Sequence, residues 1–285
     1  MASLSEIARV PLAALGAAGY ELAYRLWLLG GGRNARLERP IFMLGCPRSG
    51  TTVAVDLFAR HPDIANLSEA QEIWDPRRHL DPEADHHWTA AEVTPADARR
   101  LHTRFEFHRR LHRKARFINK NPRSSVRIDY IRAVFPDAVF LHVLRDGRAV
   151  AHSLLREMRR SSLRQRFPFG NFCKPPHWRE LLRDDPAEQA ALQWTEVVRC
   201  VRAHRQALGA GYHEFHYEDF CQNPRQVLAH AYGFAGLRVD DDVLQRLPAR
   251  LDSQNFQWRA GLQPTQIETI NRIQRELLDE LGYPL

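Results

Sequence analysis

Arg39-Pro40-Ile41-Phe42-Met43-Leu44-Gly45-Cys46-Pro47-Arg48-Ser49-Gly50-Thr51-Thr52 carries the strongest local signal in the chain. Ile41 to Leu44 is a short apolar run without a charge and predicts a buried strand, and Thr51 to Arg60 predicts the helix after it. Between them lies a turn suited to an anion. Gly45 and Gly50 permit backbone angles that a side chain disfavours, successive N–H groups can converge on one concavity, and the helix beginning near Thr51 adds its positive dipole end. The spacing G-x-x-x-x-G-T-T matches the nucleotide phosphate loop except that Thr51 stands where that loop has lysine. Since the lysine serves the β- and γ-phosphates of a triphosphate, its absence argues against a nucleoside triphosphate. Arg48 instead offers a planar fork for a differently shaped anion.

Two further strands end in basic residues. Phe117-Ile118-Asn119 predicts a short strand leading into Lys120-Asn121-Pro122, where the proline stops the ladder. Ala138 to Leu144 is the clearest buried strand and ends in Arg145-Asp146-Gly147-Arg148, with Ser153 in the helix that follows. An arginine at a strand end with a hydroxyl in the next helix suits a second anion site. Between the first strand and Phe117, the segment His61 to Glu69 returns towards the sheet and delivers an acid; Glu72 is its close competitor. Ile128–Val134, Ala187–Leu208 and Pro264–Leu281 predict helices, and His213 onwards predicts a strand before a helix that opens at Asn223-Pro224 and ends at Gly236-Leu237. The alternation of strands and helices predicts an α/β fold of P-loop type: a central parallel sheet flanked by helices in a single domain, residues 37–285, preceded by an N-terminal helical segment, residues 1–36.

Composition narrows the partners. Forty-one basic residues against 34 acidic ones give a formal charge of +7, which favours anionic partners. A phosphorylated nucleotide suffices for that. No nucleic-acid-binding motif is present, and the basic residues do not interleave with aromatics in one stripe, so no nucleic acid is expected. Cys46, Cys173, Cys200 and Cys221 are far apart and form no C-x-x-C pair, which speaks against a disulfide framework or zinc site, and the histidines show no ligand spacing; no metal is expected. A cytoplasmic setting follows from that cysteine usage. Val10 to Tyr20 lacks a charge, but Glu21 and Arg25 follow, so no stretch reaches the length of a spanning helix. Leu22, Trp27, Leu28 and Leu29 suggest an amphipathic helix that packs on the domain, with peripheral membrane contact through residues 1–30 as the alternative. The segment Pro95 to Arg116 is strongly basic and loosely helical, a solvated face or one wall for an anionic acceptor. Arg156 to Pro176 is expected to be a loop over that acceptor.

Pro47-Arg48-Ser49-Gly50-Thr51-Thr52 resembles the 5′-phosphosulfate loop of the sulfotransferases that use 3′-phosphoadenosine-5′-phosphosulfate (PAPS), and the resemblance extends from about Ile41 to Tyr283 with its motifs in family order. It implies PAPS as sulfuryl donor, 3′-phosphoadenosine-5′-phosphate (PAP) as product, and no metal. Pro47, Arg48, Ser49, Gly50, Thr51 and Thr52 would hold the 5′ side. The stretch Phe135 to Ser153 is similar to the family's 3′-phosphate site, with Arg145 and Ser153 as ligands. Tyr217, in Tyr217-Glu218-Asp219, would border the adenine, and Trp258 and Arg259 lie where the family has a flap over the nucleotide. Lys120 corresponds to a lysine that meets the transferring group, and the resemblance implies a catalytic role for Arg48 beside it, the two stabilising the sulfuryl and leaving phosphate oxygens. The spacing from Arg48 to Glu69, with His61-Pro62 between, is similar to the tyrosylprotein branch, in which the matching glutamate is the general base. Two departures weaken a tyrosine-peptide acceptor: Gln71 stands where that branch has an arginine that reads acidic peptides, and the branch's membrane span has no counterpart. The expected acceptor is therefore a hydroxyl on a small molecule, glycan or lipid, with tyrosine in a peptide as the alternative, and a P-loop kinase or a nucleotide- or sulfated-glycan-binding module further behind. A homodimer stays open.

Overall fold

The computed structural model describes residues 4–284. Five strands, β1 (Ile41–Leu44), β2 (Ile64–Ser68), β3 (Arg116–Lys120), β4 (Val139–Leu144) and β5 (Tyr212–His216), form one parallel sheet of order β2-β3-β1-β4-β5. Parallel strands need crossovers on both faces, so each strand is covered above and below. The alternation along the strands shows this. Ile41, Met43, Ile118, Leu141 and Val143 enter one core with the helix α2 (Thr51–Phe58), and Phe42, Phe117 and Phe140 enter another on the opposite face.

The remaining helices fix which strand ends meet. After the turn α3 (Gln71–Trp74), α4 (Pro95–Leu111) packs Leu101 and Phe105 against the phenylalanine core, together with α5 (Ile128–Val134). A third core joins α6 (Gly147–Arg160), α8 (Pro186–Ala203) and the C-terminal helix Pro264–Glu280 around Trp194, Val150 and Ile270; the short α7 (Ser162–Gln165) lies between α6 and α8. The chain goes from β1 out to β2 and β3, then crosses to β4 and β5. This puts the topological switch between β1 and β4, where such sheets bind ligands beyond the carboxyl ends of the strands.

The helix α1 (Leu4–Leu29) lies on α4: the Tyr24 hydroxyl and Thr103 Oγ1 are 2.8 Å apart, Arg104 donates to Glu21 at 2.6 Å, and Arg104 stacks 3.7 Å from the Tyr24 ring centre. Leu22, Leu26 and Leu29 of the same helix are exposed. Among the described residues no helix is long and apolar enough to cross a membrane.

Several boundaries differ from the sequence expectation. The long helix predicted over Ala187–Leu208 breaks at His204 and resumes as Arg205–Leu208. The expected loop from Arg156 is still helix α6 as far as Arg160, and it is followed by α7 and a 3-10 turn, Pro168–Asn171. The basic segment 95–116 uses much of its charge internally: Arg109 and Arg110 grip buried Glu106, at 2.7 and 2.6 Å, and Arg100 donates to the carbonyls that end α3.

Candidate functional site

The turn after β1 is held from two sides. Ser125 Oγ accepts from Gly45 N at 2.9 Å and donates back to its carbonyl at 3.1 Å, which ties the loop to the 3-10 turn Pro122–Val126 that follows β3. On the other side Arg145, at the end of β4, donates through Nη1 to the Arg48 carbonyl at 2.9 Å. Gly50 is the N-cap of α2 at φ +91, and a Cβ there would stand 2.4 Å from the Tyr217 ring. Only glycine allows both the left-handed backbone and the close approach of that ring.

These elements enclose a cavity of about 370 Å³ whose walls include Arg48, Gly50, Thr51, Thr52, Arg145, Ser153 and Tyr217. The structure thus brings together, across the β1–β4 switch, residues drawn from three separate motifs. Arg145 is buried, stacks 4.3 Å from the Tyr217 ring centre and donates to Asn255 Oδ1 at 3.1 Å. Burial holds its guanidinium below the ordinary value, with Tyr217 and Glu218 acting in the opposite sense. No carboxylate among the described residues lies within 4.0 Å of it, so a buried cation faces the cavity with a carbonyl and an amide as partners. Arg48, at φ +74, turns its guanidinium to Ser153 Oγ at 3.1 Å and lies 3.9 Å from Glu157. In this geometry it sits beside Ser153.

A second cluster lies at the ends of β2 and β3. Ser68 pairs with Lys120 in register, and Glu69 N donates to the Lys120 carbonyl at 2.6 Å. The chain then turns sharply: Glu69 (φ 62) and Ala70 (φ 44) are consecutive left-handed residues, each of a kind that costs about 1–3 kcal/mol and persists where the surroundings impose it. The turn aims Glu69 back at the buried Lys120, whose Nζ donates to Oε1 at 2.8 Å. Oε2 has no hydrogen-bond partner among the described residues, so one carboxylate oxygen is anchored while the other is open. Asn121 locks the arrangement by donating to the Glu69 carbonyl at 3.1 Å and accepting from Gln71 Nε2 at 2.7 Å. Glu72 is exposed in α3 and makes no such pair.

Trp258 and Arg259 are not brought to the cavity. Trp258 is buried in the α6–α8 core with Arg148 stacked 4.7 Å from its ring centre, and Arg259 leans on Phe256. The helical turn Trp258–Gly261 points the indole inward, and the residues of this segment that reach the cavity are Gln254 and Gln257. His152 and Arg156 also line it and were not foreseen. Arg156 follows Ser153 by one helical turn, so the face that carries Ser153 necessarily presents it too. Burial, and then Arg156, Arg159 and Arg145, keep His152 below its ordinary imidazole value.

An open parallel sheet with a glycine turn after its central strand, and a cavity lined by cations at the switch point, defines the class: an α/β protein of P-loop type with a cationic cavity at its strand ends. Within that class the chain belongs to the sulfotransferase family, whose family model matches residues 40–241, and it is a sulfotransferase enzyme. The fold is similar to that of the sulfotransferase domain from the curacin biosynthetic pathway, with 17% identity, 88% of this chain and 100% of that one covered, and a TM-score of 0.58. It is also similar to the sulfotransferase STF9 from Mycobacterium avium, with 20% identity, 97% and 86% covered, and a TM-score of 0.57. A relative from Caenorhabditis briggsae, provisionally named a protein-tyrosine sulfotransferase, is 21% identical over 256 residues, which span 82% of this chain and 80% of the relative.

Proposed function

We propose that the protein transfers a sulfuryl group from PAPS to a hydroxyl acceptor by in-line displacement, with Glu69 as general base. The observation that carries this reading is the placement of two cation-bearing strand ends, Arg48 after β1 and Arg145 after β4, in one cavity, with the Lys120–Glu69 pair on strands β3 and β2 of the same sheet edge.

The residues present suit the nucleotide. A donor with phosphate groups at both 3′ and 5′ ends needs two anion sites bridged by a slot for a base. Arg145 with Ser153 supplies one, and the Ser49–Thr52 backbone and hydroxyls at the start of α2 supply the other. Tyr217, brought close by the missing Cβ of Gly50, supplies a ring face between them. A phosphate beside Arg145 would also offset the cost of burying that guanidinium. Bound there, the nucleotide supplies an activated sulfuryl group whose bond to the 5′-phosphate oxygen breaks as the bond to the acceptor oxygen forms.

Glu69 Oε2 takes the acceptor proton as the oxygen attacks, while Lys120 keeps Oε1 in place and presents its ammonium to the charge that builds on the transferring and leaving oxygens. Positioning and fixed charges contribute most of such a transfer, as they do in phosphoryl transfer. The acceptor proposed is a hydroxyl on a small molecule, glycan or lipid. Tyrosine in a peptide is the second reading, favoured by the name of the C. briggsae relative. Against it, Gln71 is spent on holding Asn121.

The test is calorimetric titration with PAP, with adenosine 5′-phosphosulfate and ATP·Mg as comparators, on wild type and Arg145→Ala. PAP is expected to bind in preference to both comparators, and the variant to lose about 2–5 kcal/mol of that affinity, the range for truncating one member of a buried charge contact. Preference for ATP·Mg, or no nucleotide binding, would remove the proposal.

A further inference from the structure

Beyond the Lys120–Glu69 pair lies a group of buried cations without counter-charges. Arg123, Arg127 and Lys174 are at most 3% exposed, and none has a carboxylate within 4.0 Å among the described residues. Their partners are neutral. Arg127 Nε donates to the His86 carbonyl at 2.9 Å and the guanidinium stacks 3.5 Å from the Trp88 ring centre; Lys174 Nζ donates to the carbonyls of Pro82 and Ala84. Several donors have no partner at all: both Nη atoms of Arg127, Nε of Arg123 and Nε2 of His86. Because His86 Nδ1 accepts from Lys174 N, its Nε2 carries the proton and is itself a donor. Each of these atoms is therefore a donor that lacks an acceptor. Isolated buried cations are among the costliest features a fold can hold, and structures normally pair them. Burial and mutual repulsion hold the Arg127 guanidinium down to about 9 and the Lys174 amine down to about 8. Asp75, a carboxylate whose charge acts on both arginines, forms no ion pair with either and accepts instead from Arg78 N.

The cluster adjoins the transfer centre and has a strained cover. Asn121 Oδ1 accepts from both Gln71 Nε2 and Arg123 N, and its amide holds the Glu69 carbonyl, so one side chain joins the base to the first arginine. Over Arg123 lies the 3-10 turn Pro168–Asn171, in which Phe169 (φ 53) and Asn171 (φ 55) are both left-handed, and Asn171 Oδ1 accepts from Arg123 Nη2 at 3.3 Å. Two non-glycine residues in that conformation, one of them capping a buried cation, mark a segment held under strain against this cluster.

We infer that Arg123, Arg127 and His86 form a binding site for a compact oxyanion beneath the Pro168–Asn171 turn, next to the Lys120–Glu69 pair. The ligand is a carboxylate, sulfate or phosphate group, either borne by the acceptor or free as an inorganic ion. The first source rests on the proposed function and makes the acceptor an anionic hydroxyl compound; the second does not depend on it.

Sodium sulfate titration of the full-length protein, followed by thermal unfolding at constant ionic strength and with saturating PAP to fill the nucleotide cavity, tests the site. A saturable rise in the unfolding midpoint is expected for wild type, with half-saturation shifted about tenfold or more to higher sulfate in Arg123→Gln and retained in Arg123→Lys. A wild-type response that is linear and unsaturated, as for a salt excluded from the surface, overturns the inference whatever the variants do. So does a saturable response that Arg123→Gln leaves unchanged. The two sources separate in turnover: 4-hydroxyphenylacetate against 4-ethylphenol, with KM raised by Arg123→Gln for the carboxylate alone, identifies the acceptor as the carrier. A saturable sulfate effect without that discrimination identifies a free ion. If wild type fails to bind PAP, the proposed function falls, and the sulfate titration without PAP, compared between wild type and Arg123→Gln, still decides this site.

Discussion

The two ends of the sheet edge are built on different principles. At the β1–β4 end the cavity wall includes glycine and buried side chains: Thr51, Arg145 and Ser153 are all at most 8% exposed, and they sit in the first turn of α2, at the end of β4 and in the second turn of α6. At the β2–β3 end the candidate base is held by one ion pair and a strained turn, and its side chain is 57% exposed. A site for a constant ligand can be made of the fold itself. One that must admit an acceptor has to keep an oxygen open to it, and it does so with a side chain tethered through a single atom. Substitutions should therefore separate the two ends: changes at β2–β3 should lower turnover and leave nucleotide affinity alone, and changes at β1–β4 should do the reverse.

The largest expected effect is at Glu69. Glu69→Gln keeps the size and the left-handed turn but removes the base, and general-base assistance is typically worth 10²–10⁴-fold. Turnover should fall by about that factor while PAP affinity, followed by calorimetry, stays within about twofold, since less than 0.5 kcal/mol is usual for a change with no contact to the ligand. Unchanged turnover would show that Glu69 is not the base. A parallel loss of PAP affinity would erase the distinction between the two ends.

Gly50→Ala breaks the other end. It forces a Cβ into the Tyr217 ring at 2.4 Å and into a φ of +91. The conformational part alone costs roughly 1–2 kcal/mol, and relief of the clash must push the ring out of the cavity wall. The chemical unfolding midpoint should drop, and PAP affinity should drop with it. Loss of stability with full PAP affinity would mean that Tyr217 does not border the nucleotide.

The same contrast explains which parts of the chain were legible. β1, α5 and the C-terminal helix are sharply patterned by apolar runs and by Pro or Gly punctuation, and Ile41–Leu44 and Ile128–Val134 fall where the pattern puts them. β2 is half-polar, with Asn66 and Ser68 at its end, so a segment expected only to return towards the sheet proved to be its edge strand. The motif residues Arg48, Arg145 and Ser153 meet because strand order places β1 next to β4, a fact of topology that local periodicity does not contain. Trp258 shows the opposite limit. A helical turn decides whether an indole faces a ligand or the core, and a loop motif in sequence carries no information on that rotation. The Arg123–Arg127 cluster was invisible for a related reason: an arginine in sequence looks solvated until the fold buries it.

A pH-dependent effect should distinguish the two ends through their buried histidines. His142, in the cavity strand β4, is fully buried; Tyr212 donates to Glu214 Oε2, so the Tyr212 oxygen accepts from His142 Nδ1 at 2.7 Å, and Nε2 is left bare. Burial pushes this imidazole down to about 3. His108, behind β2, donates through Nε2 to the Asn66 carbonyl and is pushed down to about 4, by burial and then by His112. Each folded value lies below the ordinary 6.5, so on acidification the unfolded chain takes up the proton first. Stability from each group is complete above pH 6.5 and is lost as pH falls, over a window reaching to about 3 for His142 and about 4 for His108. Within its window one such group contributes about 1.4 kcal/mol per pH unit. Urea midpoints taken from pH 7 to 3.5 should fall steeply in wild type. His142→Asn, which retains a donor for Tyr212, should flatten that fall over the whole range, and His108→Gln only down to about pH 4. If the two variants flatten the curve over the same range, the cavity half is no more acid-sensitive than the transfer edge, and the contrast between them ends at the site itself.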